Sequence, residues 1–363
     1  MRQKIKIKLT SSTPFYIGSG EKYPACQLVK INSSYYKLRD MSFFRLLHNY
    51  PKLKGSDSLN KTADRTVPNI QREITQKDLF YEIKNYVNEI NGEIIQTIKH
   101  PSGALYIPGS SIKGAIRTAI QYHIMKKNRD YFSKIVLDAL KDVHREPKRK
   151  WHIMAEVTKN VDNKLRLNSD EIHTDFARFM MVRDTNLISQ PVCLVRIGIF
   201  KIRSQKLVLD STKSFFLLET VAPSVEFETE IVFDADQMEF MQKQLSKNYS
   251  GVPKSIDEIL NCVREMYDDV IKDELRDLKL ENSKYGDLLK KLDGQKDKIH
   301  IGYGGGLKAC GLFILLNDDL RKQVRNLIKD HGTDIAPLSR RALIRKENEP
   351  ASPLGWFTFT VIQ

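Results

Sequence analysis

The first residues of the chain alternate strictly between apolar and basic side chains. In RQKIKIKLT, Ile5, Ile7 and Leu9 fall on one side, and the basic residues fall on the other. This alternation predicts a half-buried β-strand with a basic outer face. Two interpretations of that face stay open: the lysines contact RNA, or they protect an exposed sheet from pairing with another strand.

Other short apolar runs between turn residues predict further strands. They are QLVKINSSYYKL, a hairpin with its turn at 32–34, then FARFMMVRDTN, VCLVRIGIFKI, SFFLLETVAPSVEFETEIVFD and the closing LGWFTFTVIQ. Apolar positions at helical spacing predict helices over about 41–48 with Asp40 as its cap, 77–90, most of 234–291, and 318–329. Strands mixed with helices and hairpins indicate an α+β architecture.

The stretch YIPGSSIKGAIRTAI at 106–120 reads as a strand end, a turn and a helix start. We expect Gly109 to adopt unusual backbone angles and Ser110 or Ser111 to cap the helix. The helix has a buried stripe at helical spacing, formed by Ile112, Ala115, Ile116, Ala119 and Ile120. Lys113 and Arg117 lie on another side of the same helix.

Two interpretations of this helix start remain. Free N–H groups beside two cations form a natural anion site, which suits a phosphate. Capped helices with basic residues outside are also common surface helices. A nucleotide-binding P-loop is excluded, because Ala115 and Ile116 stand where it needs a lysine and a hydroxyl residue.

Glycine-rich turns follow two of the predicted strands. PFYIGSGEKY predicts a turn at 18–22 that lets the backbone lie close to another group. HIGYGGGLKACGLF carries a triple glycine, which lacks the βαβ context of a dinucleotide site. With Lys308, Tyr303 and His300 around it, this loop better suits a surface on which an RNA backbone can lie.

Two polar segments interrupt the predicted elements. Residues 51–75 are rich in turn formers and are predicted to be an exposed loop or arm. Residues 128–175 form a predicted insertion whose middle, HREPKRKWH, places basic residues beside Trp151. Basic and aromatic side chains together suit a single-stranded nucleic acid, although a solvated charged loop has the same composition.

Composition narrows the class of protein. The 363 residues are 41% hydrophobic and carry a net charge of +14, with a pI near 9.4. This size predicts two domains with substantial cores, and the charge favours a polyanionic partner. The N-terminus lacks the apolar run of a signal peptide, and no run approaches the length of a membrane span. A cytoplasmic protein without membrane contact is expected.

Conventional catalytic and metal-binding patterns are not found in the sequence. The four cysteines form no C-x-x-C pair, and the eight histidines form no H-E-x-x-H motif. Acids such as Asp184 and the pair Asp268 and Asp269 have no spacing that marks general acids, and no G-x-S-x-G elbow occurs. We therefore predict no catalytic residue, no metal and no cofactor.

The combination and order of these motifs resemble the RAMP superfamily of CRISPR–Cas proteins. FYIGSGEKY, YIPGSSIKGAIRTAI, ARFMMVRDTN, FLLETVAPSVEFE and HIGYGGGLKACGLF occur in that order from about residue 5 to the end. The series is most similar to the subunits that cap the crRNA 3′ end in type III-A Csm effector complexes. The resemblance implies an α+β fold of two ferredoxin-like, RRM-related domains with helical and loop insertions.

The resemblance also implies a domain division and a set of contacts. The first domain would span 1–210, including the arm and the basic insertion, and a degenerate second domain with a helical insert and the glycine loop would span 211–363. Contacts with guide RNA or a neighbouring subunit are implied for Gly18, Ser19, Lys22, Ser110, Ser111, Lys113, Arg117, Arg183, Tyr303, Gly304, Gly305, Gly306 and Lys308.

The implied partners are crRNA, target RNA near the guide 3′ end, the backbone RAMP subunit, other Csm subunits, and host nucleases that trim the crRNA. The implied role is non-catalytic: capping the filament, and supporting crRNA maturation and antiviral defence. Two alternatives stay open. One is a metal-independent endoribonuclease that cleaves CRISPR repeats with His123 or His152 as base. The other is a RAMP subunit of a Cmr complex.

Overall fold

The computed structural model describes residues 2–67, 69–169, 171–210, 215–278, 283–328, 337–344 and 349–362. The strands are β1 (Arg2–Ser11), β2 (Gly18–Pro24), β3 (Leu28–Ile31), β4 (Ser34–Leu38), β5 (Leu79–Asn85), β6 (Glu93–Thr97), β7 (Met180–Val182), β8 (Val192–Arg203), β9 (Lys206–Leu209), β10 (Phe216–Thr220), β11 (Glu226–Asp234), β12 (Lys298–His300), β13 (Ser339–Ile344), β14 (Pro350–Ser352) and β15 (Trp356–Val361).

The helices lie mainly between strands β6 and β7 and between β11 and β13. They are α1 (Asp40–Asn49), α2 (Ser56–Leu59), α3 (Ala63–Thr66), α4 (Gly109–Lys127), α5 (Arg129–Arg145), α6 (Lys150–Asn163), α7 (Ala235–Gln244), α8 (Ile256–Asp277), α9 (Lys284–Asp293), α10 (Gly306–Ala309) and α11 (Asp318–Ile328). The long helical region expected over 234–291 is thus formed by α7, α8 and α9.

The first sheet is antiparallel and has the order β12, β15, β1, β11, β7. Taken along the chain, β1, α4, β7, β11, α8 and β15 form a β-α-β-β-α-β unit whose strands lie in the order fourth, first, third, second. This is a ferredoxin-like arrangement. The predicted α+β fold of this type is confirmed.

The core of this unit lies between the sheet and helices α4 and α8, which pack against each other. Strand β1 contributes Ile7 and Leu9, and the helices contribute Ile116 and Tyr267, all at most 3% exposed. The stripe predicted for α4 is confirmed for Ile112, Ile116, Ala119 and Ile120, which are buried, and Ala115 is partly buried. The alternation of β1 and the helical spacing of α4 therefore face one shared core.

The second sheet has the order β2, β6, β10, β8, β5, β4, β3, and β9 and β13 also pair with the long β8. At its centre Glu219 is fully buried and accepts hydrogen bonds from Tyr23 and Tyr81, each at 2.7 Å. Lys99 Nζ contacts the same carboxylate at 2.5 Å. This network ties β10 to strands β2 and β5 on the other side of residue 210.

The domain division expected at residue 210 does not separate the two sheets. Each sheet combines strands from both sides of that position, since β1 and β7 pair with β11, and β6 and β8 pair with β10. The division therefore stays a prediction about folding units.

Within the described residues, no helix is both long and apolar enough to cross a membrane.

The helix expected over 77–90 is wrong, because the segment contains strand β5 over Leu79–Asn85. The strand lies between β4 and β8 and pairs with both. Leu79, Ile83 and Val87 are buried at intervals of four residues, as the sequence suggested. Four is a multiple of the two-residue period of a strand as well as close to a helical turn, so this spacing fits both elements.

Residues 51–75 are not an exposed loop. Apart from the undescribed residue 68, they form α2, α3 and short 3-10 turns that fold back on the β3–β4 hairpin. Leu53, Ala63 and Ile70 are at most 1% exposed and pack in a cluster with Cys26 and Val29. Leu59, Val67 and Ile74 pack against the same cluster, so apolar residues widely spaced in a polar segment anchor it.

Two further local expectations fail in the first third of the chain. Asp40 does not cap α1 but lies in its first turn, where its carboxylate accepts from Gln27 at 2.7 Å and contacts Lys37 Nζ at 3.1 Å. The turn expected at 18–22 is the start of β2, with a bulge and a positive φ of 87° at Gly20. The hairpin turn at 32–34 is confirmed, with Asn32 at φ 55°.

Candidate nucleic-acid interface

The start of α4 is held by a residue that the sequence did not single out as its cap. The Gly109 N–H donates to Asp184 Oδ1 at 2.7 Å, and neither Ser110 nor Ser111 caps the helix with its side chain. The expected serine cap is therefore wrong. Asp184 follows β7 in the ARFMMVRDTN stretch, so the signal was an acid just after a predicted strand.

Gly109 is required by close packing and does not have unusual backbone angles. It has no positive φ, but a Cβ built on it would lie 2.2 Å from the Val182 carbonyl oxygen and 2.8 Å from that of Arg183. The helix start thus touches the end of β7. This contact brings Arg183 beside Ser110 and Ser111.

The anion site expected at this helix start already holds a carboxylate, that of Asp184, on the Gly109 N–H. An RNA phosphate at this position would therefore depend on side chains. Ser110 is exposed and Lys113 is half-buried. Partial burial lowers the pKa of the Lys113 ammonium, and the nearby Asp175 opposes this shift.

Arg117 is committed to carboxylates of the helical insertion. Its guanidinium contacts Asp162 at 3.0 Å and Asp175 at 2.8 Å. Burial lowers the pKa of Arg117, but the two carboxylates outweigh it, so the pKa is raised. Arg117 therefore holds the insertion against α4, and of the two predicted cations on this helix Lys113 is the one left for an RNA phosphate.

The basic outer face of β1 lies opposite an acidic strand. Lys4 contacts Glu230 at 2.5 Å and Lys8 contacts Glu226 at 3.0 Å, both on β11. Arg183 contacts the same Glu230 at 3.1 Å. Lys4, Arg183 and Glu230, with Arg2 and Met181, line a cleft of about 410 Å³. The missed signal was the alternation of glutamates in EFETEIVFD, which neutralises much of this face.

The glycine region at the start of β2 and the late glycine loop meet in the structure. The Tyr303 N–H donates to the Tyr16 carbonyl oxygen at 3.0 Å, and the two rings lie edge to face with centroids 5.8 Å apart. Gly302 has a φ of 85°, and a Cβ there would lie 2.4 Å from Tyr16 O. Tyr16 and Gly302 were not among the predicted site residues.

The late loop exposes the backbone at Gly302 and Gly306 and carries the half-buried ring of Tyr303. Gly304 has a φ of 112° and Gly306 a φ of 56°, so both adopt backbone conformations that favour glycine. Gly305 packs over His300 and Cys310. Arg341 lies 5.0 Å from the centroid of the Tyr303 ring and adds a cation that the sequence did not predict for this surface.

Lys308 is buried, which contradicts its expected place on the RNA surface. Its side chain is 1% exposed, and its ammonium contacts Asp277 at 2.6 Å and Asp273 at 2.7 Å on α8. Two other predicted polar residues are at the surface with protein partners. Ser19 donates to the Gln96 carbonyl oxygen at 3.0 Å, and Lys22 contacts Glu93 at 3.4 Å.

Tyr267 connects the start of α4 with the glycine loop. Its hydroxyl, buried on α8, lies 3.5 Å from the Ala115 carbonyl oxygen and 3.4 Å from that of His300. Ala115 is one turn beyond Ser111, and His300 directly precedes the loop. The predicted motifs near 18, 110 and 303 are therefore neighbours in the fold, although up to 285 residues separate them in sequence.

The histidines considered as catalytic bases lie apart from this surface. His123 Nδ1 contacts Glu265 Oε2 at 2.5 Å in the interface of α4 and α8, and His152 is exposed at the start of α6. Among the residues that the structure describes, no group of three histidine, cysteine or acidic side chains is arranged to hold a metal ion.

The chain belongs to the RAMP superfamily, whose family model matches residues 8–313. Two relatives have a more specific description. A Methanocaldococcus jannaschii protein, "CRISPR system Cms protein Csm5", is 23% identical over 99% of this chain and 89% of its own length. A Streptococcus thermophilus protein of the same description is 26% identical over 41% of this chain and 44% of its length. The expected likeness to a Csm subunit is confirmed.

Two solved structures have the same fold. One is a chain of a cryo-EM structure of a Csm–crRNA–target RNA ternary complex of a type III-A system, with a TM-score of 0.67, 19% identity, and coverage of 99% of this chain and 100% of that one. The other is the crystal structure of T. onnurineus Csm5, with a TM-score of 0.68, 17% identity, and coverage of 97% and 99%.

Proposed function

We propose that this chain is the RNA-binding subunit that caps a type III-A Csm effector filament at the crRNA 3′ end. One observation carries the proposal: in a chain that matches a Csm5 relative almost end to end, the glycine loop contacts Tyr16 next to Gly18, and Tyr267 links the same loop to the first turns of α4. Glycine backbone, exposed serine and lysine side chains, and an aromatic ring are groups that contact RNA.

The proposed guide contacts are Gly18, Ser19, Lys22, Ser110, Ser111, Lys113, Arg183 and the loop of Tyr303, Gly304, Gly305 and Gly306, together with Arg341. Arg117 and Lys308 support this surface from behind, since their charges are used by carboxylates of the protein. Proposed partners are crRNA, target RNA near the guide 3′ end, the backbone RAMP subunit, other Csm subunits and the nucleases that trim the guide. The proposed location is the cytoplasm.

Lys113→Glu in the reconstituted Csm complex tests the guide contact. A negative charge in place of Lys113 repels the phosphate backbone, so we expect reduced guide occupancy and altered guide 3′ ends. The affinity of the free chain for guide RNA is expected to fall by about tenfold, as for a lost charge-assisted contact. Lys243→Glu on α7, an exposed lysine paired with Glu239, makes the same charge change elsewhere.

Equal guide occupancy in the Lys113→Glu and wild-type complexes would refute the assignment of this surface. Arg117 is not a suitable partner mutation, because Arg117→Glu would oppose Asp162 and Asp175 and disturb the fold. Binding of RNA by the wild type is expected to weaken steeply with salt, since bound lysines and arginines release counterions from phosphates.

The proposed role includes no cleavage of RNA by this chain. Purified protein incubated with repeat RNA, with Mg²⁺ or with EDTA, is expected to leave the RNA intact. Clean cleavage that is lost in His123→Ala would instead make the chain a ribonuclease that uses the contact between His123 and Glu265.

A further inference from the structure

The predicted basic insertion forms a helical hairpin whose tip faces away from the protein core. Helices α5 and α6 pack against each other through buried residues such as Val136, Val143 and Ile153. A short 3-10 turn at Pro147–Arg149 joins them. The hairpin is thus a rigid support, and the residues around the turn lie at its outer end.

The tip presents an aromatic ring to solvent. Trp151 is 67% exposed, whereas the chain's other tryptophan, Trp356, is 4% exposed in the core. Lys150 Nζ lies 5.3 Å from the centroid of the Trp151 ring. The exposed ring is available for stacking, and a neighbouring cation is placed where a phosphate next to a stacked base would need one.

Basic residues surround this ring. Between positions 145 and 150 the tip carries Arg145, Lys148, Arg149 and Lys150, against the single acid Glu146. Arg149 contacts Glu146 at 3.0 Å, and Arg145 contacts Asp142 at 3.7 Å, with all four side chains more than half exposed. Exposed pairs of this kind contribute little and exchange readily, so both arginines remain able to bind phosphates.

The tip lies within reach of the proposed guide surface but is separate from it. Asp162 near the end of α6 contacts Arg117 of α4 at 3.0 Å. Trp151 lies on α6 eleven residues before Asp162, which corresponds to about 16 Å along the helix axis at the usual rise per residue. A single strand that leaves the α4 surface can therefore run along α6 to the tip.

We propose that the tip of the α5–α6 hairpin binds single-stranded RNA, with Trp151 stacking on a base and the surrounding Lys148, Arg149 and Lys150 contacting phosphates. The identity of that RNA, guide or target, depends on the function proposed above. The binding chemistry does not depend on that function, because it follows from the exposed Trp151 ring and the cations around it. The site recognises an unpaired strand without base specificity, since every base has a face that can stack.

Tryptophan fluorescence gives a local readout of this site. Titration of the full chain with an oligouridine of about 12 nucleotides, within the site size of such surfaces, is expected to quench Trp151 emission to saturation. A matching RNA duplex is expected to quench it little, because its bases are already stacked. Trp151→Phe identifies the quenched residue, since it keeps a stacking ring and removes the exposed emission.

Affinity for a fluorescent form of the same oligouridine separates stacking from charge. Trp151→Ala removes no charge, and we expect it to weaken binding about fivefold to a hundredfold, the range for a lost base stack. Trp151→Phe should stay close to wild type. Phe240→Ala on α7 is the matched control, because that ring is 62% exposed and lies outside the hairpin. An unquenched Trp151, or equal affinities for Trp151→Ala and wild type, would overturn the proposal.

Two further arms identify the RNA and keep this proposal distinct from the guide surface. Lys113→Glu is expected to leave the quenching of Trp151 intact even where guide occupancy is lost. In the assembled complex, p-benzoylphenylalanine at position 151 is expected to crosslink to RNA. The crosslinked strand is either the guide, or the target RNA when the target extends past the end of the guide. Crosslinks to protein alone would show that a subunit covers the tip and would also overturn the proposal.

Discussion

At the scale of single residues, the structure assigns several motif residues to contacts that sequence spacing does not reveal. Gly109 was expected for its backbone angles and is needed because the end of β7 touches it. Arg117 and Lys308 were expected to face RNA and instead face carboxylates of the protein. The residue types indicated a specific role for each of these positions. The partner of each charged side chain could not be predicted, because it lies on an element far away in sequence.

Gly109→Ala is expected to destabilise the protein. A Cβ at this position meets the Val182 carbonyl oxygen at 2.2 Å, and backbone cannot move aside as a side chain can. We expect a loss of about 1–3 kcal/mol in the free energy of unfolding, typical of overpacking. Urea unfolding measures it.

Gly114→Ala provides the control within the same helix. Among the described residues, no atom outside the backbone of α4 itself lies within 4 Å of a Cβ at Gly114. Alanine there is therefore expected to stabilise α4 by about 0.5–1 kcal/mol. Equal effects of the two substitutions would contradict the proposed contact between α4 and β7.

At the scale of elements, sequence periodicity predicted those that face the main core. The stripe of α4, the alternation of β1 and the region of α7 to α9 were all visible, because burial imposes one period along the whole element. Sequence periodicity did not predict β5, since a spacing of four fits both a strand and a helix. It did not predict the structure of residues 51–75 either, since isolated apolar residues define no period. Pairing with β4 and β8 and packing on the β3–β4 hairpin decided those segments.

The candidate site follows the same rule. Its glycine turns and the start of α4 were predicted from local composition. Tyr16, Asp184, Tyr267 and Arg341 were not, because each acts through a contact with an element distant in sequence. Neighbouring residues determine whether a turn forms. Which turns come into contact depends on the order of the strands in the sheet.

The glycine loop rests on a buried histidine, which makes the loop sensitive to acid. His300 is 2% exposed, and a Cβ at Gly305 or Gly355 would lie 2.7 Å from its ring. Burial lowers the pKa of His300 to about 4, and the Leu354 carbonyl oxygen bonded to its ring opposes the shift only in part. The folded protein therefore keeps this ring neutral at pH values where the unfolded chain protonates it.

Stability is accordingly expected to fall as the pH drops from about 6.5 towards 4, because the unfolded state gains a proton that the folded state does not. The contribution of His300 approaches a slope of about 1.4 kcal/mol per pH unit. Urea unfolding at a series of pH values tests this. The slope between pH 6.5 and 5.5 should flatten in His300→Asn and stay unchanged in His144→Asn, an exposed position. Identical slopes in all three proteins would exclude His300 as the titrating group.

At the scale of the whole molecule, a buried ionic network joins four elements. Asp273, Glu274 and Asp277 of α8 contact Lys308 of α10, Arg321 of α11 and Arg340 of β13. Nearby cations lower the pKa of Asp273 despite its burial. The network fixes the end of the glycine loop to α8, so the proposed RNA surface is joined to the helical core.

Lys308→Met is expected to destabilise the protein by about 3 kcal/mol, because it leaves buried carboxylates with fewer cations. Lys22→Met, which removes an exposed pair with Glu93, should change stability by less than about 0.5 kcal/mol. Denaturant unfolding measures both. The salt dependence of RNA binding by the folded Lys308→Met protein should match wild type, since a buried ammonium releases no counterion. A flatter salt dependence of RNA binding in Lys308→Met would instead show that Lys308 contacts RNA.

The position of β1 at the centre of the first sheet has a consequence during protein synthesis. β1 is synthesised long before its partners β11 and β15, which begin at residues 226 and 356. At translation rates of about 5–20 residues per second, β1 waits on the order of 20 to 70 s for its second partner. During that interval at least one edge of this strand is unpaired on the ribosome. The lysines between its apolar positions then act against pairing with other nascent chains, well before any of them meets Glu226 or Glu230.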